Sequence, residues 1–266
     1  MIVSAGNQNP KQPVFLCLPA MGVPARKYLP LAENLNAEGV ATALFEWRGL
    51  GSSNLRASRK VNFGYNHILS DDLPVAIKQV REDFPQNPMY ILGHSLGGQL
   101  GLLALCQYPD EFEGMVGVAT GTPYFKGWQF PSNLGLFISS KLMRWIAAAI
   151  GHFPGRKLGF AGREARQVIR DWSRSVSSGE YRVEGNPHEF ETLCHQLKKR
   201  ALLITIDDDI LAPPKSAQNL GKKLSASEVT YMHLGKGDFP SGKTGHFNWM
   251  QDPLPVVEQI LKWNSD

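Results

Sequence analysis

Six short apolar runs alternate along this 266-residue chain with longer stretches in which apolar residues recur every three to four positions, the sequence sign of βα units and a parallel sheet. The runs are Val14–Leu18, Val40–Phe45, Met89–Leu92, Met115–Ala119, Leu202–Ile206 and Val229–His233, each bounded by Gly, Pro or polar residues. The first, third and fifth are almost unbroken, as strands buried on both faces should be. Helices are predicted at Lys27–Glu38, Tyr65–Arg81, Leu96–Gln107, Pro214–Leu224 and Pro253–Trp263.

The alternation breaks once. Between Pro123 and Pro187 lie helical patches, Leu134–Ile150 and Arg163–Ser175, without a strand of comparable quality. A mainly helical cap, residues 123–187, is therefore expected as an insertion in an α/β core of residues 1–122 and 188–266.

Composition narrows the class. With 42% apolar and 20% charged residues the chain has ample core-forming material, which excludes disorder. A net charge of +4 is too small and dispersed to read as a nucleic-acid footprint. Cys17, Cys106 and Cys194 lie far apart in apolar settings, without CxxC or Cys/His spacing, so buried thiols are expected rather than disulfides or a metal site. Pro10 and Pro13 interrupt any apolar leader, and Leu134–Ile150, broken by Lys141 and Arg144, is too short to span a bilayer. A cytoplasmic protein is the expectation.

Chemistry enters where the third apolar run meets Gly93-His94-Ser95-Leu96-Gly97-Gly98 and then a helical pattern, a G-x-S-x-G between strand and helix. A serine hydroxyl is a weak nucleophile unless a sharp turn exposes it beside a base. Ser95 would also stand at a helix N-terminus, where the Leu96 N–H can donate to a developing oxyanion. A nucleophile of this type predicts an acid and then a histidine after later strands. Asp207-Asp208-Asp209 follows the fifth run and Gly245-His246 follows the sixth. His246 sits in a Gly-rich loop, whereas His233 falls within the strand pattern; His94 should point into the scaffold. Asp207 and Asp209 both alternate towards a partner. Asp209 is favoured, with Asp207 and Asp208 left to cap the helix near Pro214. The second oxyanion donor is expected from Pro19-Ala20-Met21-Gly22-Val23, at the Met21 N–H.

These residues resemble the α/β-hydrolase superfamily, and within it the bacterial hydrolases related to monoacylglycerol lipases and the serine aminopeptidase group. LPAMGV, FEWRGLGSS, GHSLGG, DDDILAPP and KTGHFNWM occur in the superfamily's order. The resemblance implies a mostly parallel sheet of six to eight strands flanked by helices. It also implies an acid at Asp209 through a D-x-x-x-P pattern, an R-G-x-G loop at Arg48, Gly49 and Gly51, and a substrate-covering cap. Two features depart from it. Pro19-Ala20 replaces the frequent His-Gly, and the short segment before Val14 suggests a truncated opening of the sheet, an edge that a second subunit would cover.

Residues 123–187 hold ten basic and four acidic residues and ten aromatics. Two readings follow: a cap whose aromatics, with Trp128, Trp145 and Trp172 as candidates, enclose an acyl chain while arginines attract an anionic end, or a small aromatic core with a solvated basic face. The expected activity is a serine hydrolase of carboxylic esters or thioesters, without metal or cofactor, acting on a small acyl substrate. Acyl transfer by the same residues and a low-turnover ligand-binding module are the competing expectations. Peripheral membrane contact through Leu134–Ile150 is a further one.

Overall fold

A computed structural model describes residues 1–3 and 9–265. The strands are, in chain order, β1 (Ile2–Val3), β2 (Val14–Leu18), β3 (Ala41–Leu44), β4 (Met89–His94), β5 (Gly114–Val118), β6 (His152–Pro154), β7 (Arg163–Ala165), β8 (Arg200–Ile206) and β9 (Val229–Leu234). The helices are α1 (Leu29–Ala37), α2 (Tyr65–His67), α3 (Leu73–Asp83), α4 (Leu96–Gln107), α5 (Ser132–Ile150), α6 (Gly155–Leu158), α7 (Arg166–Ser178), α8 (Phe190–Gln196), α9 (Pro214–Gly221) and α10 (Leu254–Ser265). Seven strands form one sheet in the order β1-β3-β2-β4-β5-β8-β9, parallel except for β1.

All six apolar runs of the sequence become strands of this sheet. Their side chains alternate between two cores, because successive residues of a strand face opposite sides. Phe15, Leu92, Val116 and Ile204 join α1 and α10 on one face. Leu16, Ile91, Met115 and Leu203 join α3, α4 and α8 on the other. Being covered on both faces is what makes these strands continuous apolar runs. The register pairs Leu18 with Gly93, His94 with Val118 and Val118 with Ile204, so β2, β4, β5 and β8 end along one edge.

Two expectations need correction. The segment between β5 and β8 is not strandless, since β6 and β7 form an antiparallel pair with Phe153 opposite Glu164. His-Phe-Pro and Arg-Glu-Ala are too short to display a period of two, and α7 accordingly starts at Arg166 rather than Arg163. The predicted helix Tyr65–Arg81 is interrupted by a π-helical turn, Ile68–Asp72. Pro74 has no N–H to give the Ser70 carbonyl, and the helix changes register just before it. At the edge of the sheet Ile2–Val3 pairs antiparallel with β3, which gives seven strands, within the expected range.

Cys17, Cys106 and Cys194 are buried free thiols, as expected. Two of them meet: Cys106 on α4 and Cys194 on α8 bring their sulfurs to 3.3 Å.

Candidate active site

Ser95 occupies the single residue between β4 and α4 with φ 55° and ψ −117°, a conformation that L side chains rarely adopt. The surroundings over-determine it. Its N–H donates to the Val118 carbonyl at 3.2 Å, and its carbonyl accepts from Gly98 N at 3.0 Å and Thr120 Oγ1 at 2.6 Å. The flanking glycines are there for close approach: a methyl group on Gly97 would overlap the Leu18 carbonyl, and one on Gly93 would stand 2.5 Å from the Gly98 backbone.

Past β8 the chain reverses through Asp208, at φ 59°, and buries the Asp209 carboxylate. Asp209 Oδ1 accepts the N–H groups of Leu211 and Ala212 at 2.9 and 2.8 Å, which orients both oxygens towards His246. His246 Nδ1 lies 2.9 Å from each of them, and His246 Nε2 lies 2.8 Å from Ser95 Oγ. The carboxylate places the imidazole proton on Nδ1, leaving Nε2 to accept the serine proton. The three residues singled out in the sequence thus form one hydrogen-bonded chain.

Asp207 and Asp208 do not cap α9. Asp207 accepts from His233 Nε2 at 3.0 Å and from the Lys236 N–H, while Asp208 accepts from Thr244 Oγ1 at 2.7 Å and pairs with Lys236 Nζ at 2.9 Å. Both carboxylates tie down the loop that leads to His246.

His94 does point into the scaffold. Its Nδ1 lies 2.7 Å from the Tyr28 hydroxyl, which also accepts the Ala20 N–H at 2.8 Å. Burial first, and the neighbouring His246 second, push the His94 imidazole well below the usual histidine range, so it accepts the Tyr28 proton as a neutral ring. Its ring packs against those of His246 and Trp249, with centroids 4.9 and 5.1 Å apart. On the other side of the Met21 loop the Trp47 indole N–H donates to the Pro19 carbonyl at 3.0 Å. Arg48 grips Asp72 through two nitrogens at 2.8 and 2.6 Å and so fastens its loop to the start of α3. None of these supports was visible in the sequence, because they join segments far apart along the chain.

Ser95 and His246 open onto a cavity of about 630 Å³. Met21 and Leu96 line it, and neither of their N–H groups donates to another described residue. Trp128 and Trp172 line it as well, Trp128 donating its indole N–H to the Ile210 carbonyl at 2.9 Å. Trp145 does not: it is 69% exposed on the outer side of α5. Nor do the arginines of this segment reach the cavity, for among the described residues no Lys, Arg, Asp or Glu lines it. Arg170 and Arg174 instead pair with Glu184 at 3.3 and 3.0 Å, and Arg163 donates to the Ala57 carbonyl. Of the two readings of the basic segment, the solvated face describes these side chains.

Two acids are buried in the same segment. Glu164 accepts the Gly162 N–H at 2.9 Å, and burial pushes its carboxyl up to about 7. Asp171 accepts the Tyr65 N–H and the Gln167 amide, and burial raises it to about 6. The loop between them and the core is close-packed, with Gly22, at φ 75°, set directly against the Ala161–Gly162 backbone.

Comparison with known proteins finds hydrolases. Residues 7–177 match the hydrolase family described as serine aminopeptidase, S33. The chain is 30% identical over 107 residues to a monoglyceride lipase homologue of monkeypox virus and 29% identical over 108 residues to human monoglyceride lipase, in each case about 40% of this chain. The matched stretches span about a third of those relatives' own length, 37% and 34%. Among solved structures, the soluble variant of Saccharomyces cerevisiae monoglyceride lipase superposes with a TM-score of 0.69 at 15% identity, covering 99% of this chain and 90% of that one. Paleococcus ferrophilus monoacylglycerol lipase does so at 0.63 and 16%, covering 96% and 95%. These likenesses confirm the fold.

Proposed function

The chain belongs to the serine aminopeptidase S33 family of α/β-hydrolases, and from that premise we propose that it is a serine hydrolase of carboxylic esters or thioesters with an apolar acyl group. The observation that carries the reading is the hydrogen-bonded chain Ser95–His246–Asp209 at the mouth of an uncharged, largely apolar cavity. Ser95 Oγ attacks the acyl carbon as its proton passes to His246 Nε2. Asp209 holds the imidazole in the accepting tautomer and stabilises the imidazolium. The Met21 and Leu96 N–H groups receive the negative charge that gathers on the carbonyl oxygen. His246 then protonates the departing alkoxide or thiolate, and water, activated by the same nitrogen, releases the acyl group from Ser95.

On this reading residues 123–187 are a cap whose underside is the wall of the acyl site. The absence of charge among the described lining residues favours neutral esters over acyl groups with an anionic end. The outer side of α5 supports a second role for the cap: Leu134, Ile138 and Trp145 form one exposed stripe beside Lys141 and Arg144, suited to resting on an anionic lipid surface. Acyl transfer to an alcohol would use the same residues, and product analysis with added acceptor separates it from hydrolysis.

The deciding experiment is intact-mass analysis after exposure to a fluorophosphonate. One adduct on the protein and none on Ser95→Ala establishes an activated Ser95. No adduct on either overturns the hydrolase reading in favour of a binding module on this fold.

A further inference from the structure

The three cysteines take no part in the chemistry proposed for Ser95, and they are not alike. Cys17 is on β2, in the core that β2 shares with α1 and α10. Cys106 and Cys194 lie in the opposite core, Cys106 in the last turn of α4 and Cys194 in α8, with their sulfurs 3.3 Å apart. A disulfide is about 2.05 Å long, so these two sulfurs need to close by only about 1.3 Å to form one.

Their position sets the consequence of such a bond. Cys106 and Cys194 are 88 positions apart, on either side of residues 123–187, and Cys106 stands near the end of the helix that Ser95 begins. A bond between them closes residues 123–187 into a covalent loop and pins α8, where the chain returns to the core, to the helix of Ser95. A loop of this length takes much of the freedom from the unfolded chain. Position also sets access. Both thiols are buried, Cys106 at 6% exposure and Cys194 at 0%. The cover over them is thin, because α8 has seven residues, of which Thr192, His195 and Gln196 are exposed. Phe190 anchors α8 in the core, while Glu191 accepts the Tyr181 N–H and pairs with Lys223. A helix of two turns held at one end opens locally more readily than the sheet behind it. Contact with Cys194 first, and burial second, raise the Cys106 thiol above its ordinary value, so the closed structure offers little thiolate and reaction waits on that opening.

We propose that Cys106 and Cys194 are a redox-sensitive dithiol, which a peroxide converts into a disulfide that staples α8 to α4. Cys106, the less buried of the two, attacks a peroxide oxygen: an S–O bond forms, the O–O bond breaks, and the thiol proton leaves with the departing oxygen as water. The Cys194 sulfur then attacks the sulfenic sulfur of Cys106: the S–S bond forms, the S–O bond breaks, and a second water carries away the Cys194 proton. Two thiols give up two electrons, and one hydrogen peroxide is reduced to two waters. A small dithiol reverses the reaction by exchange.

The test treats the folded protein with hydrogen peroxide and then counts, in denaturant, the thiols that react with N-ethylmaleimide. The count should fall over hours from three to one and return to three with dithiothreitol. A non-reducing peptide map should join the Cys106 and Cys194 peptides and find Cys17 alkylated. Oxidation should raise Tm by about 5–10 °C, reversibly. Cys194→Ala should show neither the cross-link nor the rise. Three reactive thiols after peroxide overturn the inference, as does a map in which Cys17 is joined, or in which Cys106 carries a sulfinic acid and no cross-link. A cross-link that leaves Tm unchanged overturns the staple. The map of the unmodified protein decides by itself, so the test stands even where the variant does not fold.

Discussion

The Tyr28 hydroxyl donates to His94 Nδ1 across 2.7 Å while accepting the Ala20 N–H, so one phenol couples the turn that carries Ser95 to the loop that carries Met21. Removing that oxygen leaves two buried polar groups unpaired. Tyr28→Phe is expected to lower stability by about 2–4 kcal/mol in urea unfolding. It should also lower kcat by about tenfold with a smaller change in KM, because the loop proposed to supply the Met21 N–H loses its tether. A kcat equal to that of the unmodified protein would show that the phenol holds only the fold together.

Ser95 sits at φ 55°, and a methyl-bearing residue retains that strain whereas glycine relieves it. Ser95→Gly and Ser95→Ala should both lose ester turnover. Ser95→Gly should be the more stable of the pair by about 1 kcal/mol in denaturant midpoint. Equal midpoints would mean that the turn stores no strain.

Glu164 titrates near 7 in the folded protein, above the ordinary carboxyl value of 4.5, so the native state holds its proton more tightly than the unfolded chain. Its contribution to stability is complete below pH 4.5 and is lost as pH rises through about 7. Asp171 follows the same sign between 3.8 and about 6. His94 acts in the opposite sense, because its lowered imidazole destabilises the fold as pH falls below 6.5. The difference between the unmodified protein and Glu164→Gln isolates the first effect. The variant's gain in Tm should be larger at pH 8 than at pH 6, and a gain independent of pH would reject the assignment.

The stripe on α5 makes its own prediction. Trp145 is 69% exposed and outside the cavity, so Trp145→Ala should reduce sedimentation with vesicles containing phosphatidylserine, and raised salt should reduce it further through Lys141 and Arg144. Failure of the unmodified protein to sediment with such vesicles removes this role.

What could be read from the residues was whatever the local chain decides. β2 and α4 fall at their predicted ends because an unbroken apolar run and a helical period are properties of consecutive residues. Ser95, Asp209 and His246 were legible for a related reason, since each follows a strand in a parallel sheet whose strands end together. Tyr28 and Trp47 were not, because their polar atoms find partners only through the fold. The arginines of the insertion misled for want of direction: composition counts charge, and only packing shows that Arg163, Arg170 and Arg174 turn away from the cavity. Trp145 misled likewise, as an aromatic on a two-sided helix has an inward and an outward option.

The backbone contact between Gly22 and Gly162 fastens one side of residues 123–187 to the core. At one end the turn before β7 is wedged against the Met21 loop, and Arg59 and Arg163 stitch the neighbouring carbonyls of Ile150 and Ala57 across the same seam. At the other end α5 begins just beyond Trp128, whose bond to Ile210 is open to water. Residues 123–187 are thus fastened most closely beside the Met21 loop, and their contact with the core is most open to water just before α5.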